Sequence, residues 1–335
     1  MNILIVRLGA LGDIVHAIPA AAALRAAMPD ARIDWLVDAR HRALVDLVLG
    51  IDRIVSVGRS TLGGWVQAVR ELRQASYDVA LDLQGLLKSA VLARSSGAPR
   101  VIGFSIWHLR EKTARPFYSE SGNASQHGDD AEHVIRKNLR LLQTVGVTDE
   151  QVRFPLADVD SPALASVRGA IGDRPFALIN PGAAWPNKRW PPERFGEIAA
   201  FLRDVRGFES IVLWGPGETV LAQAVVDASG GAASVAPPTT IADLLALSRA
   251  AALMISGDTG PIHIAAAAGL PVVAIFGPTN AARNGPWSAA DVTISRYDQC
   301  GCHYDRRCHE AQWCLGSVSV AEVTAAIQQR LSVHG

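Results

Sequence analysis

Twice along this chain, short runs of Ile, Val and Leu alternate with longer stretches of helical spacing. That rhythm narrows the fold more than any other feature. A strand that returns through a helix to a second strand pairs with it in parallel, and a parallel sheet needs helices over both faces. In the first series the strand candidates are Ile3–Arg7, Ile33–Val37, Arg53–Val57, Val79–Asp82 and Val101–Gly103. The helix candidates between them are Asp13–Met28, Arg40–Val48, Gly64–Ala75, Leu86–Arg94 and His133–Val145. The second series predicts strands Phe176–Asn180, Ile211–Trp214, Leu253–Ser256 and Val272–Phe276. Its helices are Pro192–Asp204, Thr219–Ala228, Ile241–Ala250 and Pro261–Ala268, with a last one at Val320–Leu331. The Asp/Pro/Ser-bearing stretch Asp158–Pro175 reads as the junction, giving domains 1–160 and 161–335. A chain of 335 residues also exceeds what one core usually serves. The expected fold class is therefore α/β, with two doubly wound domains facing a central cleft. In such sheets ligands bind beyond the carboxyl ends of the strands.

Composition excludes several alternatives. Lys plus Arg and Asp plus Glu each number 32, so no basic excess points to nucleic acid. The apolar start "MNILIV" lacks a basic leader and meets Arg7 at once, unlike a signal peptide. No apolar run reaches membrane-spanning length, which predicts a cytoplasmic protein. All four cysteines lie between Cys300 and Cys314, unlike the spread expected of a disulfide-stapled secreted chain.

Five βα loops carry the chemistry. In "RLGALGDIVHAIPA", Gly9 and Gly12 let the chain turn, and Asp13 opens a helix. The spacing is not that of a dinucleotide fingerprint, and a carboxylate there would repel phosphate. Asp13 can cap the helix, and the same amides keep it ionised and ready to take a proton from an alcohol. His16 either meets the same ligand or packs. In "LDLQGLLKSA", Asp82 and Gln84 end a strand and Lys88 follows, either facing the ligand or forming a solvated turn. In "NPGAAWPNKRWPPERF", Lys188 sits on an irregular loop where a cation suits a phosphate, with Trp185 and Trp190 as anchors. In "ISGDTGPIHIAAAAG", Thr259 and Gly260 begin a helix whose first amides form an anion site, and His263 lies in its first turn. Asp258 suits sugar hydroxyls better than phosphate. Glu218 in "WGPGETV" either accepts ribose hydroxyls or simply starts a helix. "CGCHYDRRCHEAQWC" does not follow the usual zinc-finger spacings, and both metal and reduced thiols stay open.

Together "GALGDIVHAIPA", "DLQGLLKSA", "NKRWPPERF" and "SGDTGPIHIAAAAGLPVVAIFGPT" resemble the heptosyltransferases of lipopolysaccharide inner-core synthesis, glycosyltransferase family 9. The matches run in order from Leu8 to Thr279. The resemblance implies a GT-B architecture of two Rossmann-like domains, the first binding the acceptor and the second the nucleotide sugar. It implies ADP-L-glycero-β-D-manno-heptose as donor and the Kdo of a lipid A core as acceptor. Asp13 matches the family's general base and Lys188 its diphosphate-binding lysine. Asp258, Thr259 and Gly260 match the donor motif, with His263 beside them, and Glu218 matches the position facing the ribose. Gly12, His16, Gln84 and Lys88 fall on the acceptor side.

The sequence departs from the first heptosyltransferase where Ala183 and Ala184 replace threonines, and in its cysteine-rich tail, which bears on the acceptor. On this reading Asp13 takes the proton of the attacking hydroxyl, ADP leaves from the opposite face, and the configuration inverts. No acidic pair of metal-ligand character accompanies these residues, so neither metal nor cofactor is expected. "FSIWHLREKTARPFY" mixes aromatic and basic residues and leaves a contact with the inner membrane's cytoplasmic face open against a buried loop with solvated charges. The competing readings are another family 9 acceptor, a nucleotide-sugar epimerase, a nicotinamide oxidoreductase and a noncatalytic binder.

Overall fold

The computed structural model describes residues 1–58, 62–122 and 132–332. The chain divides into two compact units, Met1–Ala157 and Asp158–Gly335. In the first unit, β1 (Asn2–Val6), β2 (Arg32–Asp38), β3 (Arg53–Val57), β4 (Val79–Asp82), β5 (Arg100–Phe104) and β6 (Glu120–Gly122) form one sheet in the order β3-β2-β1-β4-β5-β6. In the second, β7 (Phe176–Asn180), β8 (Glu209–Val212), β9 (Ala233–Val235), β10 (Leu253–Gly257), β11 (Val272–Phe276) and β12 (Val292–Ser295) run β12-β11-β10-β7-β8-β9. The named strands of both sheets pair in parallel throughout.

Counted from its own first strand, each sheet has the order 3-2-1-4-5-6. That is the doubly wound arrangement expected from the alternation. Its central strands are apolar almost throughout because helices cover both faces. Ile3, Leu4, Ile5 and Val6 are fully buried, as are Phe176, Ala177, Leu178 and Ile179. The direction of winding reverses between β1 and β4 in one unit and between β7 and β10 in the other.

Several elements differ from expectation. The helix predicted over Asp13–Met28 is two helices, Leu11–Val15 and Ile18–Ala27. Pro19 lies in the first turn of the second, where it has no N–H to give and its ring would crowd the carbonyl four residues back. The predicted junction Asp158–Pro175 contains the helix Pro162–Ile171, started by a Ser161 hydroxyl that accepts from the Leu164 amide at 2.9 Å. The short strands β6, β9 and β12 were not expected. Two of them, β6 and β9, have only three residues each, too few to show a period. No helix among the described residues is long and apolar enough to cross a membrane.

Candidate active site

The βα turns at each reversal point hold most of the singled-out residues. In the first unit, Val6 pairs with Asp82 across β1 and β4, so the two following turns leave the sheet side by side. The Gln84 side chain joins them, its Oε1 accepting from the Leu8 amide at 2.8 Å. Asp13 is the third residue of the short helix Leu11–Val15. Its Oδ2 accepts from the Ala10 amide at 3.1 Å, and its Oδ1 pairs with Arg7 Nη2 at 2.8 Å. Arg7 is nearly buried while a third of the Asp13 side chain stays exposed. The guanidinium also donates to the Leu83 carbonyl. Arg7 thus fixes the carboxylate from the protein side and leaves its other side toward solvent.

Asp82 is wholly buried and sets the β4 turn. Its Oδ1 accepts from the Gln84 and Gly85 amides, and its Oδ2 from the Ser89 and Tyr118 hydroxyls at 2.8 and 2.7 Å. Burial raises its carboxyl above the usual range, against the pull of those four donors. Asp82 is therefore a brace for the loop carrying Gln84 and Lys88. Lys88 is half-buried in the first turn of the helix Leu87–Ser95. Gly12 lies within the short helix, its carbonyl accepting from the His16 amide. His16 itself is buried, its ring edge-on to His133 at 5.4 Å, which is a packing position.

In the second unit, Asn180 and Ser256 are register partners on β7 and β10. The Asn180 amide donates to Ser256 Oγ at 3.0 Å and to Thr259 Oγ1 at 3.1 Å. Thr259 occupies the N-cap of the helix Gly260–Ala267 without a side-chain cap bond, so its hydroxyl does not cover the first-turn amides. Asp258 is the hub. Its Oδ2 meets Lys188 Nζ at 2.5 Å and the Thr279 hydroxyl at 2.6 Å, and its Oδ1 faces His263 Nε2 and Asn284 Nδ2, each at 3.4 Å.

Burial alone would raise the Asp258 carboxyl. The bond from His263 and the charge of Lys188 overcome that and hold it well below the usual carboxylate range. Both oxygens of Asp258, expected to serve sugar hydroxyls, already face protein donors. The two loops also touch through backbone, since a Cβ on Gly257 would come within 2.7 Å of the Lys188 carbonyl. Lys188 Nζ lies 4.4 Å from the centre of the Trp185 ring, and Trp190 is buried with its Nε1 donating to the Val318 carbonyl at 3.0 Å.

Glu218 stands at the start of a helix. It is the N-cap residue of Thr219–Ala228 but gives no side-chain cap. Its Oε2 accepts from the Gly215 amide at 3.0 Å, and its Oε1 lies 3.9 Å from Arg189 Nη2. A Cβ on Gly182 would overlap this carboxylate, so glycine there makes its room.

The cysteines are free thiols, with Cys302 and Cys308 sulfurs 3.8 Å apart. Among the described residues no group of three or more His, Cys, Asp or Glu side chains is arranged to hold a metal. Their segment braces the Lys188 loop: Asn187 Nδ2 donates to the Asp305 carbonyl at 2.9 Å, and Trp313 Nε1 donates to the Asn187 carbonyl at 3.1 Å. The Tyr304 amide likewise reaches the Pro278 carbonyl at 2.9 Å.

Sequence reasoning missed Arg7, Thr279 and Asn284. Thr279 closes the quoted motif but lies 21 residues from Asp258, and Asn284 lies 26 residues from it, outside the motif. Arg7 had one signal, a charge at the end of an otherwise apolar strand.

Residues 65–314 match the family described as "Glycosyltransferase family 9 (heptosyltransferase)". Lipopolysaccharide heptosyltransferase 1 of Pseudomonas aeruginosa is 26% identical over 310 residues, covering 88% of this chain and 83% of that protein. A glycosyl transferase family 9 structure from Veillonella parvula superposes with a TM-score of 0.83 at 23% identity, covering 99% of this chain and 97% of its own. The E. coli heptosyltransferase WaaC with ADP-2-deoxy-2-fluoro heptose gives 0.75 at 21%, covering 98% and 99%. The fold class is the GT-B class that the resemblance implied.

Proposed function

Because the chain belongs to glycosyltransferase family 9, we propose that it moves L-glycero-D-manno-heptose from ADP-heptose to the Kdo of a lipid A core in lipopolysaccharide synthesis. The observation that carries this is the opposite polarity of the two reversal-point turns. The first unit presents a carboxylate steadied by Arg7, and the second presents an ammonium beside uncapped helix amides. An alcohol needs the former and a departing diphosphate the latter.

Asp13 takes the proton of the attacking Kdo hydroxyl, a role typically worth about 10²–10⁴-fold. Lys188 and the first amides of Gly260–Ala267 meet the charge growing on ADP, and such preorganised donors commonly supply the larger share. Attack from the face opposite ADP inverts the anomeric centre. Asp258, with Thr279 and His263, holds Lys188 in place, and Glu218 accepts the ribose hydroxyls. Gln84 and Lys88 border the acceptor. The donor assignment is supported by the heptose nucleotide bound to the E. coli relative, and the acceptor by the name of the Pseudomonas protein. The protein works in the cytoplasm, where ADP-heptose would be supplied.

The test is ADP release from ADP-heptose, with and without a Kdo-bearing lipid acceptor, for the parent and Asp13→Asn. Release should need the acceptor, and Asp13→Asn should abolish it while ADP still binds. Release independent of acceptor rejects the transfer reading. Loss of ADP binding in Asp13→Asn moves that residue to the donor side.

A further inference from the structure

Tight turns ordinarily carry Gly, Asn, Asp or Pro at their tips. The turn after β5 does not. The His108 amide donates to the Ser105 carbonyl at 2.9 Å, closing a turn whose two central residues are Ile106 and Trp107. Both are exposed, Ile106 at 41% and Trp107 at 78%. This tip is not loose, because its base is anchored. His108 is buried, its Nδ1 lies 3.2 Å from the Ser105 hydroxyl, and its carbonyl accepts from the buried Lys137 Nζ at 2.7 Å. Leu109 is also buried and packs against Gly85, its Cδ2 3.2 Å from where a Cβ there would stand. The scaffold therefore holds two large apolar side chains out into water.

Two cations lie close by along the chain. Arg110 and Lys112 follow and are exposed. The one acid in the run, Glu111, is turned onto the neighbouring loop, where its Oε2 accepts from the Leu87 amide at 2.7 Å. Leu87 adds a third exposed apolar side chain, at 40%, next to the Gln84 and Lys88 turn.

We infer that the Ser105–His108 turn is a membrane contact, with Ile106 and Trp107 entering the interfacial layer of an anionic bilayer and Arg110 and Lys112 meeting its phosphates. Tryptophan favours that layer because its ring is apolar and its N–H is not, and cations beside it gain from anionic headgroups. A stable protein interface needs about 800 Å² from each partner. A two-residue tip with its flanks falls short of that, whereas a bilayer asks for no matching surface. The inference rests on the proposed function only in explaining why contact is useful: a lipid-borne acceptor would be met where it lies.

The experiment is co-sedimentation of the full chain with vesicles of phosphatidylcholine, alone or mixed with phosphatidylglycerol, without donor or acceptor. The parent should bind the anionic vesicles and be released by salt. Trp107→Ser should weaken partition about tenfold, given the apolar area it withdraws from lipid. Arg110→Gln and Lys112→Gln should each weaken it about fivefold. Thermal midpoints should not move, since these side chains are exposed. Equal binding by Trp107→Ser and the parent, or no preference for anionic lipid, overturns the inference. So does a vesicle-independent change of oligomeric state in Trp107→Ser, which makes the tip a protein contact. Transfer to a water-soluble Kdo acceptor should be the same in Trp107→Ser and the parent. If the parent transfers nothing, the functional reading fails and the vesicle result stands by itself.

Discussion

Replacing Lys188 by Met removes a charge at nearly constant volume, and its consequences can be worked from Asp258. The pair is buried on both sides, with side chains 14% and 6% exposed and 2.5 Å between Nζ and Oδ2. Breaking a buried pair by deleting one partner costs roughly 3–5 kcal/mol, because the remaining charge is stranded. Asp258 would keep Thr279, His263 and Asn284, so the lower end, about 3 kcal/mol, applies. The loss should grow with the Trp185 contact, which disappears with the ammonium.

The pH dependence has a definite sign. Asp258 is held below its unfolded value of 3.8, so the unfolded chain binds the proton more readily. The stability the pair contributes is fully present above about pH 4 and is lost as pH falls through the lower folded value. The difference between parent and Lys188→Met should therefore be flat from about pH 5 to 8 and shrink in stronger acid. Urea unfolding followed by Trp fluorescence reads this, since Trp185 and Trp190 flank the site. Calorimetric titration of ADP should show binding weakened roughly 10- to 100-fold, the worth of one charge-assisted contact. Unchanged urea midpoint together with unchanged ADP affinity would refute the reasoning, because a buried, paired lysine that also held the proposed diphosphate could not be silent in both.

Three other substitutions address the rest of the site. Arg7→Met should lower turnover about 10²-fold by letting the Asp13 carboxylate swing, with ADP affinity unchanged in titration. Gly182→Ala should push Glu218 from its place and weaken ADP about tenfold, while the parent's turnover returns at saturating donor. Tyr118→Phe removes one of four donors to buried Asp82 and should cost about 1–2 kcal/mol in urea unfolding, with ADP binding intact.

The sheets were legible because their central strands are near-continuous apolar runs between glycine turns. Val79–Asp82, Phe176–Asn180 and Val272–Phe276 lie where their composition places them. Edge strands such as β9, with Ser234 and Val235 exposed, bury too little to print a pattern. The helix Pro162–Ile171 was hidden because Ser and Pro mark helix starts as well as linkers. The βα positions of Asp13, Lys188, Glu218 and Asp258 could be read from sequence, since strand ends announce them. Their partners could not. Nothing local says that Asp258 will hold Lys188 from 70 residues away, or that Arg7 will face Asp13 rather than water.

The loop that carries Lys188 leans on chain made much later. Asn187 is bonded to Asp305, 118 residues on, and to Trp313, 126 residues on, while Trp190 reaches Val318 after 128. During synthesis the ribosome has long released the loop before its supports emerge. The Lys188 loop is therefore finished last, and a nascent or shortened chain ending before Tyr297 would own its lysine without the backing that aims it.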